Sequence, residues 1–199
     1  RESGVAGTAN LYSNRIHKSG NDYTLTASDV SARLYRLQSF PLAGVVSRER
    51  PYLVSWQDAH RNRLSFSYRG DPADFGYGNL SRIDSSNGNA LLFHYDSDHR
   101  VAEIASSDGR SVRYQYTHDG NLTQVTLPDR SRIRYYYQSK PAGEDSEKST
   151  YLLTRMEKPL GRILENDYDA ERRVIRQRST VGPGNALVEN AVYTYDHDA

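Results

Sequence analysis

The sequence predicts an all-β chain, an antiparallel meander of repeated β-hairpins, and three observations carry that expectation. A tyrosine recurs two residues behind another aromatic, turn residues stand at fixed distances from it, and the positions between alternate apolar and polar. The aromatic pairs are Phe66/Tyr68, Phe93/Tyr95, Tyr114/Tyr116, Tyr135/Tyr137 and Tyr193/Tyr195, and Tyr168 takes the same place behind Asn166. Tyr68, Tyr95, Tyr116, Tyr137, Tyr168 and Tyr195 are therefore read as the anchors of a repeat, spaced by 27, 21, 21, 31 and 27 residues. The minimal unit is 21 residues, and longer units carry insertions: GDPADFGYG behind Tyr68, SKPAGEDSEKST behind Tyr137, and a third around TVGPGNA.

Each half of such a unit has room for a strand of about five or six residues and a tight turn. Seven residues before successive anchors stand Arg61, Gly88, Gly109, Arg130 and Gly161. Asn87-Gly88, Asp108-Gly109 and Asp119-Gly120 supply turn chemistry, because Gly and Asn tolerate positive φ. Gly88, Gly109, Gly120 and Gly161 are accordingly assigned to turns. In the strand that ends at each anchor, period two puts Val112, Tyr114 and Tyr116 on one face and Arg113 and Gln115 on the other. Ile133, Tyr135 and Tyr137 repeat the pattern against Arg132, Arg134 and Tyr136.

The second strand of each unit is less regular. Leu80 and Ile83, Val101 and Ile104, and Leu122 and Val125 are three residues apart. Odd spacing puts such pairs on opposite faces unless a bulge or turn intervenes. DAERRVIRQR (Asp169 to Arg178) has the composition of a short helix, but the repeat register makes its first residues a turn and Val174 onward a strand.

Composition narrows the function classes. Only 36% of residues are hydrophobic while 16 are Tyr, so a core must keep hydroxyls near water or partners, which favours thin sheet layers. Lysine and arginine number 26 against 25 acids, a net charge of +1 that offers no attraction to nucleic acid or anionic membrane. No apolar run is long enough for a spanning helix, and no charged-then-apolar signal segment opens the chain. Cysteine is absent, which excludes a disulfide framework and thiolate metal sites. A start at Arg1 and an end in YTYDHDA, within a repeat, give the expectation of a fragment of a longer protein.

The phrase Tyr-Asp-x-x-x-Arg-Val occurs as YDSDHRV (Tyr95 to Val101) and YDAERRV (Tyr168 to Val174), less closely as YTHDGNL (Tyr116 to Leu122). It resembles the YD repeat of RHS proteins, a family that includes bacterial RHS polymorphic toxins, the B and C components of Tc toxins, and teneurins. WQDAHRNRLSFSY (Trp56 to Tyr68) resembles the opening of such arrays, with Arg61 where the family has Gly; Arg130 departs in the same way. The resemblance covers residues 56–199 as a YD/RHS repeat array, and residues 1–55, with strand-like DYTLTAS and RLYRLQSF, fit as a degenerate N-terminal region of β-repeats. It implies an arc of an RHS-type β-shell, adjacent repeats of the same longer chain as partners, an enclosed C-terminal effector or toxin, a secreted or cell-surface bacterial location, and no enzyme activity. The self-cleaving core-associated segment of many members is not recognisable; the one Asp-Pro pair, Asp71-Pro72, sits in an insertion.

Residues that carry chemistry elsewhere have structural readings here. Asp96, Asp98 and His99 offer oxygen and imidazole ligands, but the same slots form turns in other units. The six histidines show no metal or triad spacing. Arg69-Gly70-Asp71 matches an integrin tripeptide inside an insertion where a polar turn is expected, and Asn79 and Asn121 fit the glycosylation pattern because the repeat writes Gly-Asn-Leu-(Ser/Thr) there. No catalytic, metal or cofactor residue is assigned, and no cofactor is expected. Trp56 and exposed tyrosines stacking on a glycan give the rival function, an extracellular adhesion or carbohydrate-binding repeat protein. Arg113, Arg134 and Arg176, each beside Tyr or in a tyrosine-bearing unit, are candidates for cation–π contacts and for weak contacts with an unfolded cargo.

Overall fold

The computed structural model describes residues 14–41, 49–138, 151–181 and 186–195. Fifteen strands run through them: β1 (Arg15–Ser19), β2 (Asp22–Thr26), β3 (Ala32–Gln38), β4 (Arg50–Gln57), β5 (Arg63–Tyr68), β6 (Leu80–Ser85), β7 (Ala90–Tyr95), β8 (Val101–Ser106), β9 (Ser111–Tyr116), β10 (Leu122–Thr126), β11 (Arg132–Tyr137), β12 (Leu153–Glu157), β13 (Ile163–Tyr168), β14 (Val174–Val181) and β15 (Ala186–Val192). The only helical element among the described residues is a single 3-10 turn at Pro159–Gly161. Contacts divide the chain into two compact units, residues 1–110 and 111–199. In each unit the strands follow sequence order and every strand pairs antiparallel with the next, β1 to β8 in the first and β9 to β15 in the second. DYTLTAS and RLYRLQSF form β2 and β3, and Asp169 begins a turn that leads into β14. The insertion SKPAGEDSEKST and residues 182–185 of the third insertion lie outside the described residues.

Period two holds where the sequence placed it. In β9, Val112, Tyr114 and Tyr116 are half-buried while Arg113 and Gln115 are exposed; β11 alternates likewise. Among the described residues only Ala90 and Val125 are buried hydrophobics. With one polar face and so thin a core, cohesion has to come from strand pairing and from cross-strand side-chain contacts.

Bulges resolve the odd spacing. The β5–β6 register passes from Ser67↔Arg82 to Tyr68↔Leu80, leaving Ser81 without an opposite residue. Ala102, Thr123, Thr154 and Ile175 are skipped in the same way opposite Tyr95, Tyr116, Tyr137 and Tyr168. The extra residue shifts the side-chain phase, so Leu80 and Ile83 return to one face despite being three apart, as do Val101/Ile104 and Leu122/Val125. Two of the extra residues are used directly: the Thr123 hydroxyl donates to the Gln115 carbonyl at 3.1 Å, and that of Thr154 to the Tyr136 carbonyl at 3.1 Å.

The reversals share one backbone form. A residue at positive φ stands two places ahead of the strand that follows the turn: Gly88 (91°), Gly109 (87°) and Gly120 (87°), but also Arg61 (69°), His99 (61°), Arg130 (66°) and Arg172 (66°). Gly161 (72°) follows Leu160, which is itself at 64°. An acid at the turn's first or third position ties the loop. The Asp58 carboxylate accepts from the His60 and Asn62 N–H groups, and that of Asp96 from the Asp98 and Arg100 N–H groups. Arg61 and Arg130 carry Cβ atoms where glycine would be free of strain.

The insertion behind Tyr68 folds back on the aromatic face. Its Tyr77 ring meets Phe40 edge-on at 5.5 Å, and Phe40 meets Tyr52 at 5.1 Å, with Tyr52 in turn 4.9 Å from Tyr68. Gly76 lies so close to Tyr95 and Arg69 that a Cβ there would stand 2.7 Å from the Arg69 side chain.

Arg61→Gly and Arg130→Gly are each expected to raise stability by about 1 kcal/mol through relief of left-handed strain. Gly109→Val is expected to lower it by a similar amount, since a Cβ at Gly109 meets nothing within 4 Å and only the backbone is penalised. Thermal melts of the three variants check both signs.

Candidate functional site

The residues singled out in the sequence as anchors share one interaction. The Tyr68 hydroxyl donates to the Leu53 carbonyl at 2.8 Å, Tyr95 to Leu80 at 2.7 Å, Tyr137 to Leu122 at 2.8 Å, and Tyr168 to Leu153 at 2.8 Å. Each acceptor is a leucine 15 residues before its tyrosine. Tyr195 reaches the Val174 carbonyl at 2.8 Å, 21 residues back across the third insertion. Tyr116 closes β9 in the equivalent register, opposite Leu122.

Ladder geometry explains why that carbonyl is open. β6 and β7 pair only at Arg82↔Leu92, Ile83↔Leu91 and Asp84↔Ala90, so Leu80 lies past the last rung. The β4–β5, β10–β11 and β12–β13 ladders also stop after three pairs, at Ser55↔Ser65, Gln124↔Arg134 and Arg155↔Glu165. The bulge re-aims the strand, the two strands splay, and a phenol long enough to cross the gap takes the place of a main-chain N–H. A carbonyl left without a donor in a half-buried position would carry a desolvation penalty of about 1–3 kcal/mol. At the other end of the hairpins a hydroxyl plays the complementary part. The N–H groups of Arg63, Ala90 and Ile163 donate to the side-chain oxygens of Ser86, Ser107 and Thr180 at 3.0, 2.9 and 2.8 Å.

Burial pushes the phenols of Tyr68, Tyr95 and Tyr137 above the ordinary tyrosine value. Tyr52 adds to the effect at Tyr68 and Tyr135 at Tyr137, whereas the Arg69 charge opposes it at Tyr95. Each therefore stays a neutral hydroxyl, the form that donates.

The polar face of the second unit carries a chain of alternating charges across β11 to β15. Arg134 faces Glu157 at 3.6 Å, Arg155 bridges Glu157 (2.9 Å) and Glu165 (3.1 Å), Arg178 bridges Glu165 (3.5 Å) and Asp167 (2.9 Å), and Arg176 faces Asp167 (3.8 Å) and Glu189 (3.1 Å). Four cations and four anions neutralise one another. Arg134 and Arg176 are thus ion-paired, and cation–π contacts form at Lys18 with Tyr23, Arg33 with Trp56, Arg69 with Tyr95, and Arg173 with Tyr195.

The remaining sequence candidates are placed as follows. Asp96 is engaged by its own turn and by the Arg100 guanidinium at 2.9 Å, Asp98 pairs with Arg100, and a His99 ring nitrogen lies against the Phe75 carbonyl. Among the described residues no group of three His, Asp or Glu is arranged to hold a metal ion. Arg69 of the Arg-Gly-Asp stretch points into the sheet, donating to the Phe93 carbonyl at 2.8 Å and to Asp74 at 3.2 Å. Gly88, Gly109, Gly120 and Gly161 sit at the positive-φ turn positions given above.

Residues 95–132, which hold the Tyr95 and Tyr116 anchors and the bulge between them, match the family model for the RHS repeat. That segment is similar to an RHS repeat. A crystal structure of TcdB2-TccC3 without its hypervariable C-terminal region is similar in fold, with a TM-score of 0.51 at 14% identity. That match covers 91% of this chain and 9% of the other, so the chain spans about a tenth of that structure's length. No curated protein matches the chain. The matched segment holds two anchors, Tyr95 and Tyr116, and the bulges at Ala102 and Thr123 opposite them, and the all-β antiparallel meander is the fold the chain shares with the Tc toxin structure. The leucine carbonyl acceptors and the Ser86, Ser107 and Thr180 hydroxyls were not singled out in the sequence. Their signal was available: a leucine fifteen residues before Tyr68, Tyr95, Tyr137 and Tyr168, and a serine nine before Tyr95 and Tyr116.

Tyr95→Phe and Tyr168→Phe are each expected to cost about 1 kcal/mol, whereas Tyr136→Phe, whose exposed hydroxyl meets only Glu157, is expected to change stability little. Chemical denaturation of the three variants checks the contrast. For pH, the anchor phenols have folded values raised above the unfolded one of 10.0, so their contribution is whole below pH 10 and falls as pH rises through the folded values. Asp108 is held at about 2 by the Arg110 guanidinium, against 3.8 unfolded, so its contribution is whole above pH 3.8 and lost as pH falls towards 2. A stability-versus-pH profile is expected to be flat between these edges and to drop beyond both.

Proposed function

We propose that this chain is a stretch of wall in a larger RHS-type shell, and that the shell encloses a toxin or effector polypeptide until delivery. In this reading the wall performs no reaction, and the parent protein is secreted or displayed at a bacterial surface. The observation that carries it is the latch repeated at a constant 15-residue offset, from Tyr68 to Leu53 through Tyr168 to Leu153. Its polar groups join strand to strand and none of them is presented to a substrate.

Three further features support the reading. The fold is shared with a Tc toxin structure of which this chain covers only a small part, as a wall segment would. The outer strands β1 and β15 carry exposed apolar side chains, with Ile16 at 73% and Val192 at 60%, in keeping with further repeats pairing beyond them. The self-neutralised charges on β11 to β15 suit a surface that faces water and a polypeptide without holding either.

The reading requires a longer parent chain, and that chain is the material for its test. Limited proteolysis of the intact parent is expected to leave its C-terminal polypeptide uncut while exposed linkers are cleaved, and to expose it once the wall is loosened by Tyr95→Phe combined with Tyr168→Phe. A C-terminal polypeptide digested as fast as the linkers in the intact parent would overturn enclosure.

A further inference from the structure

One turn departs from the others, and its departure leaves polar groups pointing at a groove. In YDSDHR and YDAERR the acid behind the tyrosine ties the turn, and the third-position acid pairs with the arginine at the fifth: Asp98 with Arg100 at 2.5 Å, Glu171 with Arg173 at 3.3 Å. In YTHDGN, Thr117 replaces the first acid and its hydroxyl accepts the Asn121 N–H at 3.0 Å. Asn121 replaces the arginine, so Asp119 is left without that cation. Its carboxylate instead accepts the hydroxyl of Tyr151 at 2.6 Å, 32 residues away. Turn formation does not explain this arrangement, because the turn is already closed by Thr117.

The groove beside the turn has a volume of about 330 Å³ and is lined by Thr117, Asp119, Asn121, Tyr135, Gln138 and Tyr151, among others. That size is at the lower end of small-ligand clefts. The Tyr137 hydroxyl is committed to Leu122, but the Tyr135 hydroxyl and the side-chain amides of Asn121 and Gln138 make no hydrogen bond among the described residues. Among the described residues no lysine or arginine lines it, in a unit where arginines crowd the polar face. Flat aromatic surface, free amides and one carboxylate, without a cation, are the complement of a ligand with apolar C–H faces and many hydroxyls and no negative charge.

We propose that this groove binds a short, uncharged saccharide. A Tyr135 or Tyr151 ring takes the C–H face of a pyranose, Asp119 accepts from its hydroxyls, and Asn121 and Gln138 both donate and accept. Asp119 is preoriented by Tyr151, which limits the ordering cost of binding. The site is independent of the shell reading: it names a ligand for one surface of the wall and holds whether or not the wall encloses a polypeptide.

Saturation-transfer NMR on the 199-residue chain, with cellobiose, maltose, lactose and chitobiose as neutral probes and a heparin disaccharide as the anionic one, tests it. At least one neutral probe is expected to bind and the anionic probe is not. Asn121→Ala and Gln138→Ala are each expected to weaken binding roughly 3- to 10-fold, the loss of one or two neutral hydrogen bonds. Asn121→Arg, which restores the cation that the other turns place opposite their third-position acid, is expected to abolish binding without lowering the melting temperature. Trp56→Ala, in the other unit, is expected to leave binding unchanged. Absence of transfer to every neutral probe, preference for the anionic one, binding undiminished in Asn121→Arg, or loss in Trp56→Ala would each overturn the proposal.

Discussion

The structure depends on a hydroxyl that stands in for a main-chain donor. The bulge turns one strand away from the next, and the β4–β5, β6–β7, β10–β11 and β12–β13 ladders each end after three rungs. Without a replacement donor, the leucine carbonyl beyond the last rung would be half-buried and unsatisfied, and the hairpins would hinge there. The tyrosine crosses that gap. Because the same residue also supplies a ring to the apolar face, one side chain closes the hydrogen bonding and fills the thin core at once. This explains why a chain with 36% hydrophobic residues can afford so many tyrosines: their hydroxyls are structural, and a phenylalanine would fit the packing but not the main chain.

Repetition made most of the fold legible in the sequence. The 21-residue register located the anchors, and alternation within VRYQY and IRYYY assigned their faces, because a strand's side-chain period does not depend on distant contacts. The three-residue spacing of Leu122 and Val125 was visible but not decidable. A bulge and a turn make the same pattern in one dimension, and only the register opposite Tyr116 separates them. The acceptor of each latch was hidden for a different reason: it is a backbone atom, and any side chain can carry it. Arg61 and Arg130 were recognised as standing in turn slots, yet nothing local says that an arginine will hold φ near 69° or 66°; the closed turn and the two strands around it impose that conformation.

The candidate sites followed the same division. Asp96, Asp98 and His99 looked like ligands because of their residue types, and hydrogen bonding within the turn accounts for the first two. Arg69 looked like half of an adhesion motif, and the fold folds it inward over Tyr95. Cation–π contacts were expected at Arg113, Arg134 and Arg176; at the last two, acids on the neighbouring strands reach the guanidiniums, since opposite charges one rung apart attract more strongly than a ring does. In contrast, the groove by Asp119 was visible as an imperfect copy of the repeat. Its meaning required Tyr151, 32 residues away, to be placed beside it.

The replacement of a ladder bond by a phenol can be observed at the proton itself. A hydroxyl that donates to a shielded carbonyl exchanges slowly with solvent, and in a mixture of light and heavy water its ring Cζ then shows two resolved lines in a carbon spectrum. Tyr68, Tyr95, Tyr137 and Tyr168 are expected to show such doublets, while Tyr136, with its exposed hydroxyl on Glu157, gives one averaged line. Averaged lines at all four anchors, indistinguishable from that of Tyr136, would contradict the latch.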